Sequence, residues 1–277
     1  MGIQNLKVKF TNKRLWREFI KIVSAATAVL SIVLTVIDID QKPRIIIATI
    51  IVLILIITFM VMWILANKKD SQNLKINGTD INIKYGDIFN QRGAKVIAFN
   101  EFFDTQVDNK IISENSLNGI YINHYSPGVE VIDNAINSEP RLKKAVIEEN
   151  VTRLYGGKTT RYRLGSICPV DDYFLLAFSH FDEDNKAYIS VEEYISCLMR
   201  MWNELDKYYA GRPISVTLLG SGITRFNSNE IAPQDLLNYI VMTFKASKVK
   251  FNNTSSLSIV LDKHVRDEIN LYDIQED

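Results

Sequence analysis

The first quarter of this 277-residue chain holds two long apolar stretches, and nothing comparable follows them. Residues 45–66 carry no charged side chain. As a helix rising about 1.5 Å per residue, they would be about 33 Å long, enough to cross a bilayer core of ~30 Å. Residues 19–37 form a second such stretch, interrupted only by Lys21, whose stem can reach the interface. Because only residues 38–44 separate the two, the sequence predicts a transmembrane helical hairpin within residues 1–70.

Positive charge flanks the predicted hairpin on both outer sides. The basic residues are Lys7, Lys9, Lys13, Arg14, Arg17 and Lys21 before or at the start of the first span, and Lys68 and Lys69 after the second. The loop between the spans balances two acidic against two basic side chains. By the positive-inside rule, we expect both chain termini to be cytoplasmic.

One face of the first predicted span is small and weakly polar. Its residues recur at steps of three and four, and they are Ser24, Thr27, Ala28, Ser31 and Thr35. Such a face lets helices approach closely and hydrogen-bond in lipid. Two interpretations stay open: a contact with the second span, or an interface between copies that could line a lesion.

Composition narrows the function of the remaining chain. The net charge is zero, so nothing predicts a nucleic-acid partner. Cys168 and Cys197 lie in the part assigned to the cytosol without CxxC spacing, and we expect both to be reduced and buried. The three histidines make no metal-ligand pattern.

A short acidic segment has part of the spacing of a calcium-binding EF-hand loop. Asp182, Asp184 and Glu193 occupy its first, third and twelfth positions. Lys186 and Ala187 stand where the loop needs a ligand and a glycine, which removes an oxygen and the sharp turn. The sequence therefore predicts a solvated loop, with neither a metal nor a cofactor.

Residues 71–277 alternate strand and helix patterns. The predicted strands cover residues 81–89, 95–100, 162–170, 173–181, 213–220 and 256–262. The predicted helices cover residues 190–210, 233–246 and 264–269, and the first opens with the capping box formed by Ser190 and Glu193. This order predicts a three-layer α/β domain whose central sheet is mixed and mainly parallel.

Two loops follow buried strands of that sheet, where ligands of α/β proteins bind. Residues 220–226, which we call the glycine loop, have the sequence GSGITRF. Their glycines allow successive backbone N–H groups to form an anion-binding nest, so we expect phosphate binding, with a tight turn as the alternative. The other loop is Gly86-Asp87-Ile88, where the aspartate could accept from an exocyclic amine or cap the next turn.

Together these segments resemble the macro domain, an α/β module that binds ADP-ribose. The resemblance implies that Asp87 and Ile88 hold adenine and that the glycine loop wraps the diphosphate. It places Asn100, which ends the strand VIAFN, near the distal ribose. The resemblance covers about residues 74–275. The ligand-binding residues expected from it are Gly86, Asp87, Ile88, Asn100, Asp104, Ser116, Asn118, Gly119, Gly220, Ser221, Gly222, Ile223, Thr224 and Arg225.

The usual glycine-rich stretch after the asparagine is replaced here by residues 101–119, EFFDTQVDNKIISENSLNG. This replacement resembles two-span macro-domain effectors of Thoeris anti-phage systems. That resemblance implies a TIR-domain partner that makes an ADP-ribose-type signal nucleotide, in one branch a histidine or imidazole conjugate. It further implies a homo-oligomer that disrupts lipid in the bacterial inner membrane.

We therefore expect a membrane-anchored binding protein without catalytic residues, switched by its ligand. Two alternatives stay open. The first is a membrane-tethered ADP-ribosyl hydrolase, for which Asp104 is the candidate base. The second is a non-enzymatic scaffold that binds ADP-ribosylated partners.

Overall fold

The computed structural model describes residues 7–36, 41–227, 230–251 and 255–274. The chain divides into two compact units. The first unit comprises the residues up to Asp70 together with Ile269–Ile274, here called the C-terminal segment, and the second runs from Ser71 to Glu268. The predicted hairpin turn at residues 37–40 lies outside the described residues.

The first unit contains two long helices, α1 (Lys13–Val36) and α2 (Gln41–Asn67). Aromatic side chains join the start of α1 to the later part of α2. The ring of Phe59 lies 4.7 Å from that of Trp16 and 5.1 Å from that of Phe19, measured between centroids. Because opposite ends of the two helices meet, α1 and α2 run antiparallel here.

Only the second predicted span is confirmed as a candidate. Among the described residues, one helical stretch, Ile45–Asn67, is long and apolar enough to cross a membrane. The uncharged described part of α1, residues 22–36, is shorter than the ~20 residues that a span needs. A hairpin that crosses twice therefore remains a proposal.

The hydroxyl groups of the small face of α1 bond within their own helix. Thr27, Ser31 and Thr35 each donate to the carbonyl oxygen four residues earlier, at 2.8 Å. The three side chains are exposed. Neither interpretation of this face is thereby excluded, because each hydroxyl oxygen retains acceptor capacity.

Through Tyr272, the C-terminal segment packs against the start of α1 and the end of α2. The Tyr272 hydroxyl donates to Glu18 at 2.6 Å, and its ring lies 4.7 Å from the guanidinium carbon of Arg14. Asn12 donates to both carboxylate oxygens of Asp273 at 2.9 Å. Tyr272 is 8% exposed and belongs to an apolar cluster with residues of both helices.

The second unit is an α/β fold. Its strands are β1 (Ser71–Ile76), β2 (Thr79–Tyr85), β3 (Ala94–Asn100), β4 (Val146–Glu148), β5 (Arg161–Tyr162), β6 (Ile167–Val170), β7 (Tyr173–Phe181), β8 (Ala187–Ile189), β9 (Ile214–Thr217), β10 (Arg225–Phe226) and β11 (Ser256–Leu261). Its helices are α3 (Leu117–Ile120), α4 (Val129–Ser138), α5 (Pro140–Lys143), α6 (Val191–Tyr208) and α7 (Pro233–Ser247), with short 3₁₀ turns at Ile88–Asn90 and Lys263–Glu268.

Nine of the described strands form one sheet in the order β1-β2-β11-β9-β3-β7-β8-β10, with β6 beside β7. The central strands β2, β11, β9, β3 and β7 are mutually parallel, whereas β1, β6 and β8 pair antiparallel with their neighbours. This confirms the predicted mixed, mainly parallel α/β sheet. Strands β4 and β5 form a separate antiparallel pair.

Helices cover both faces of the sheet. On one face, Phe99 and Leu175 pack with Ile132 and Ile136 of α4. On the other, the ring of Phe178 lies 5.8 Å from that of Tyr194 in α6. Because successive side chains of a strand point to opposite faces, these contacts place α4 and α6 in different layers.

Most predicted elements appear close to their predicted ends. The capping box at Ser190 is present, with both of its reciprocal hydrogen bonds, and it starts α6. The predicted strand 81–89 is too long, because the chain turns at Asp87 and a 3₁₀ turn follows. The predicted hairpin forms between β6 and β7, but the strand predicted over residues 162–170 is interrupted, because Tyr162 belongs to β5 and the chain turns before β6 begins at Ile167. The elements outside the predicted segments are α3, α4, α5, β1, β4, β8 and β10.

Candidate functional site

The carboxyl ends of the parallel strands meet at one edge of the sheet, which is where α/β proteins bind ligands. At this edge, Gly86-Asp87-Ile88 follows β2, the segment leading into the glycine loop follows β9, and Asn100 ends β3. The fold therefore brings the three principal predicted segments to the same edge.

Asp87 caps the turn that follows it. Its carboxylate accepts from the backbone N–H of Phe89 at 2.9 Å and from the side-chain amide of Asn90 at 3.1 Å. Ile88 is buried in the core, whereas Asp87 is exposed. The capping interpretation therefore describes the contacts present, and contact with adenine stays a prediction that the exposed carboxylate permits.

The glycine loop is open at its tip. Gly220 has a φ of +88°, a conformation that favours glycine, and Gly222 has no neighbouring atom within 4 Å of where a Cβ would lie. Ile223 is 69% exposed. Among the described residues, the backbone N–H groups of Gly222 and Ile223 have no hydrogen-bond partner. Free, adjacent amides at an exposed turn are the geometry that accepts an anion.

The ends of the glycine loop are held more firmly than its tip. The buried hydroxyl of Tyr194 donates to the carbonyl oxygen of Leu219 at 2.9 Å. Phe226 pairs with Ile189 of β8, and its ring lies 5.5 Å from that of Tyr194. Ser221 donates to the carbonyl oxygen of Leu218 at 2.7 Å, so its hydroxyl already has a partner.

Asn100 and Asp104 are buried and bonded to each other. The Asn100 amide donates to Asp104 at 2.8 Å, and the Asn100 oxygen accepts from the backbone N–H of Phe102 at 3.0 Å. Asn100 is 2% exposed and Asp104 is 1% exposed. Their predicted contact with a distal ribose therefore requires this segment to rearrange, and it stays a prediction.

The loop before β5 covers Asp104 with positive charge. The Arg153 guanidinium lies 2.7 Å from Asp104 and 4.3 Å from the ring centroid of Phe102. The backbone N–H of Lys158 donates to Asp104 at 2.7 Å. Gly157, with a φ of +100°, has no room for a Cβ, which would lie 2.7 Å from an Asp104 oxygen. We call Asn100, Asp104, Arg153, Gly157 and Lys158 the Asp104 cluster.

Ser116, Asn118 and Gly119 form the start of α3. The Ser116 hydroxyl bonds to the carbonyl of Ser113 at 2.5 Å and to the Asn118 side chain at 2.7 Å, and accepts from the Gly119 N–H at 3.2 Å. A Cβ on Gly119 would lie 2.2 Å from the Ser113 oxygen. Packing explains this glycine, and a ligand role for the three residues stays a prediction.

The sequence reasoning missed a charged group at the same edge, formed by Glu101, His180 and Glu193. The ring of His180 lies between the two carboxylates, with Nδ1 2.6 Å from Glu101 and Nε2 3.0 Å from Glu193. The hydrogen bond with Glu101 raises the pKa of His180, although burial opposes the shift. Glu101 also lies 3.5 Å from Arg161. No local pattern signals this group, because its members are far apart in sequence.

A cavity of about 260 Å³ adjoins the Asp104 cluster rather than the glycine loop. It is lined by Phe102, Asp133, Ile136, Asn137, Lys158, Thr159, Thr160 and Tyr162. This volume lies just below the ~300–1,000 Å³ typical of pockets for drug-sized ligands, and no residue of the glycine loop lines the cavity.

The acidic segment that partly matches a calcium loop makes local contacts. Asp182 accepts from the backbone N–H groups of Asp184 and Lys186 at 2.9 and 2.8 Å. Glu193 belongs to the capping box of α6. Within the part of the chain that the structure describes, no group of three His, Cys, Asp or Glu side chains is placed to hold a metal ion.

Comparison with known proteins gives a family. Residues 81–262 match the family model described as "Thoeris protein ThsA, Macro domain". A protein of Bacillus amyloliquefaciens (strain Y2) named "Thoeris protein ThsA" is 40% identical over 261 residues, covering 89% of this chain and 87% of that protein. Two single-substitution mutants of the Oceanobacillus iheyensis macrodomain are 16% and 12% identical, with TM-scores of 0.44 and 0.43, and cover 74% and 73% of this chain. The alignments cover 94% and 90% of those structures.

Proposed function

Because the chain belongs to the Thoeris ThsA macro-domain family, we propose that its α/β unit binds an ADP-ribose-type nucleotide in anti-phage defence. The observation that carries this proposal is the glycine loop. It follows a buried parallel strand, has exposed residues at its tip, and presents the amides of Gly222 and Ile223, which have no hydrogen-bond partner within the described part of the chain. Those amides would accept the diphosphate, while the half-buried side chain of Thr224 and the exposed side chain of Arg225 lie nearby in the chain.

The remaining contacts of the nucleotide follow from the sheet edge. The exposed carboxylate of Asp87 would accept from the adenine amine beside Ile88. The distal ribose, with any group attached to it, would lie toward Asn100 and the start of α3. The signal would be an ADP-ribose derivative, including a histidine or imidazole conjugate, supplied by a TIR-domain partner.

The burial and hydrogen bonding of Asp104 favour ligand binding without hydrolysis. A general base must reach a water and accept its proton. Asp104 is 1% exposed, and both of its oxygens accept hydrogen bonds, from Asn100, Arg153 and Lys158. We therefore propose a sensor, with the tethered hydrolase and the scaffold for ADP-ribosylated partners as the competing activities to be tested.

The sensor would act at the bacterial inner membrane through the first unit. We propose that α1 and α2 both span the bilayer, with both termini in the cytoplasm, and that ligand binding drives assembly of several copies. A ligand shifts such an equilibrium only if it binds one state more tightly than the other. If it binds the assembled state alone, a ligand concentration of a hundred times Kd stabilises that state by about 2.7 kcal/mol per subunit. Assembled copies would then disrupt the membrane.

The first test is calorimetry on the full chain in detergent, titrated with ADP-ribose and with its histidine conjugate. We expect binding with the ligand recovered intact, and at least a tenfold loss of affinity in Gly222→Leu, whose side chain would occupy the anion nest. Unfolding curves of Gly222→Leu that match the wild type are the control, since they show that the loss is one of affinity and not of folding. Cleaved ligand would favour the hydrolase, and unchanged binding by Gly222→Leu would refute the loop assignment.

A second test concerns the membrane. Liposomes containing the full chain should leak a trapped dye only when the nucleotide is added. Leakage that is the same with and without the nucleotide, or no leakage in either case, would contradict the effector role. Replacing Ser24, Thr27 and Ser31 together by leucine should leave nucleotide affinity unchanged and suppress leakage, because the face that lets copies approach would be bulky. Retained leakage would remove that face from the mechanism.

A further inference from the structure

The side chain of His180 stands between two acids that belong to different parts of the sheet edge. Glu101 directly follows β3 and is 2% exposed in its side chain, whereas Glu193 lies in the first turn of α6 and is 45% exposed. An ionised carboxylate only accepts hydrogen bonds, and a neutral imidazole donates only one. Both contacts are therefore satisfied only when His180 is the doubly protonated cation.

The Glu193 carboxylate links His180 to the start of α6. One of its oxygens faces His180 at 3.0 Å, and the other accepts from the backbone N–H of Ser190 at 3.0 Å. The Ser190 hydroxyl in turn accepts from the Glu193 N–H at 3.2 Å. The cationic ring thus fixes the carboxylate that completes the capping box.

The start of α6 and the strand before it hold both ends of the glycine loop. Tyr194, one residue after Glu193, donates its buried hydroxyl to Leu219. On the other side, Ile189, one residue before Ser190, pairs with Phe226 and accepts from the N–H of Asn227 at 3.3 Å. Any movement of the cap therefore reaches the loop at two points.

We propose that His180 is a positioning residue that, in its charged form, holds the glycine loop in the geometry that binds the nucleotide diphosphate. This inference rests on the proposed function for its ligand, but its effect on the loop does not need a ligand. When the ring loses its second proton, it keeps one acid partner. Without His180, the buried Glu101 would keep only the longer contact to Arg161, which costs more than the loss of one partner at the half-exposed Glu193, so the contact to Glu193 is the one lost.

The groups that face this ring from the surrounding elements decide the direction of the pH dependence. Glu101 after β3 and Glu193 in α6 contact the ring, the ring of Tyr188 in β8 lies 5.3 Å away, and Arg161 in β5 pairs with Glu101. The acids outnumber the one base, so the cation is favoured. We therefore expect affinity to fall as pH rises through the raised pKa of His180.

The experiment measures ADP-ribose affinity of the full chain in detergent between pH 6 and pH 9. We expect the wild type to weaken at least fivefold across this range. His180→Gln should bind weakly at every pH with a flat profile, and His124→Gln, altered at an exposed histidine, should follow the wild type. If His180→Gln keeps the wild-type slope, or has wild-type affinity throughout, the positioning role is wrong.

Hydrogen exchange separates this inference from the proposed function. At pH 6 and without nucleotide, amides of residues 218–227 should exchange faster in His180→Gln than in the wild type, and the difference should shrink at pH 9. Glu193→Gln keeps a hydrogen-bond acceptor but loses the charge, and its amide exchange rates should lie between those of His180→Gln and the wild type. This second variant keeps the test valid if His180→Gln misfolds. Equal exchange in the wild type and both variants would overturn the inference, even if ADP-ribose binds. The predicted exchange pattern in a protein that does not bind ADP-ribose would overturn only the proposed function.

Discussion

The glycine loop and the Asp104 cluster follow the neighbouring strands β9 and β3, yet their polar groups face different surroundings. In the glycine loop, Gly222 and Ile223 are exposed, and their amides have no hydrogen-bond partner among the described residues. In the Asp104 cluster, the carboxylate is 1% exposed and is covered by an arginine that is 7% exposed. A ligand at the first would break no hydrogen bond that the described residues make with these amides, whereas the second already holds an internal partner.

This difference separates recognition from support. Amides that are free before binding lose little when an anion arrives, because no contact within the protein must break first. A buried ion pair that is fully hydrogen-bonded instead specifies one packing of the chain, and removing one partner leaves an uncompensated charge. We therefore expect substitutions in the loop to change affinity and substitutions in the cluster to change stability.

The largest effect should come from Asp104→Ala. The substitution leaves the Arg153 guanidinium buried without its carboxylate, and we expect a loss of about 3–5 kcal/mol in the free energy of unfolding. Denaturant unfolding of the full chain, followed by fluorescence, measures it. Adding Arg153→Met to the same chain should restore most of the loss, since no buried charge then remains. A loss below about 1 kcal/mol would show that the cluster is not a structural support.

Gly157→Ala should have the next largest effect. The position combines a φ of +100° with a Cβ site 2.7 Å from an Asp104 oxygen, so both the backbone and the ion pair must shift. We expect a loss of about 2–3 kcal/mol in unfolding free energy. Gly156→Ala is the matched control, because its φ is +79° but its surroundings are open. Equal losses in the two variants would mean that backbone strain alone matters here.

Asp108→Ala should cost about 1 kcal/mol at pH 7. The Asp108 carboxylate accepts from the backbone N–H groups of Ile111 and Lys110, and these bonds hold its pKa below the ordinary value. The stabilisation is therefore complete above the unfolded pKa of about 3.9 and is lost as pH falls through the lower folded pKa. Thermal unfolding of both proteins between pH 2 and pH 7 should show their midpoints converging at the acid end. Parallel curves would contradict the assignment.

The smallest effect on folding should come from Gly222→Ala. Its φ lies outside the left-handed region and nothing stands within 4 Å of the added methyl group, so unfolding free energy should change by no more than about 0.5 kcal/mol. Unfolding curves of the variant and the wild type should then superimpose. A large loss of stability would show that the tip of the loop is packed rather than open.

Local sequence signals predicted the framework of the fold. The capping box of Ser190 and Glu193 fixed the start of α6, and the apolar runs at β3, β7 and β9 marked the buried strands. Those signals succeed because they depend on residues within a few positions of each other. The glycine loop was also predictable, since its glycines directly follow a buried strand.

Local sequence signals could not predict the contacts of the Asp104 cluster. Arg153 lies 49 positions from Asp104, and His180 lies 79 positions from Glu101. No periodicity links such distant residues, and charged side chains are ordinarily assigned to the surface. Asp104 was therefore expected to face a ligand, although the structure turns it inward. Short strands such as β8 and β10 were missed because two or three residues give no alternation pattern.

The C-terminal segment decides where the α/β unit can be cut free. That unit is joined to the first unit by two peptide connections, after Asp70 and after Glu268, because residues 269–274 pack with the helices. A fragment that begins at Ser71 but continues through residue 274 would carry Tyr272 without the Arg14 and Glu18 that cover it. We therefore expect a fragment ending at residue 268 to stay monomeric at concentrations where the longer one self-associates. A tag fused to the C-terminus would likewise act on the helices rather than on the nucleotide-binding unit alone.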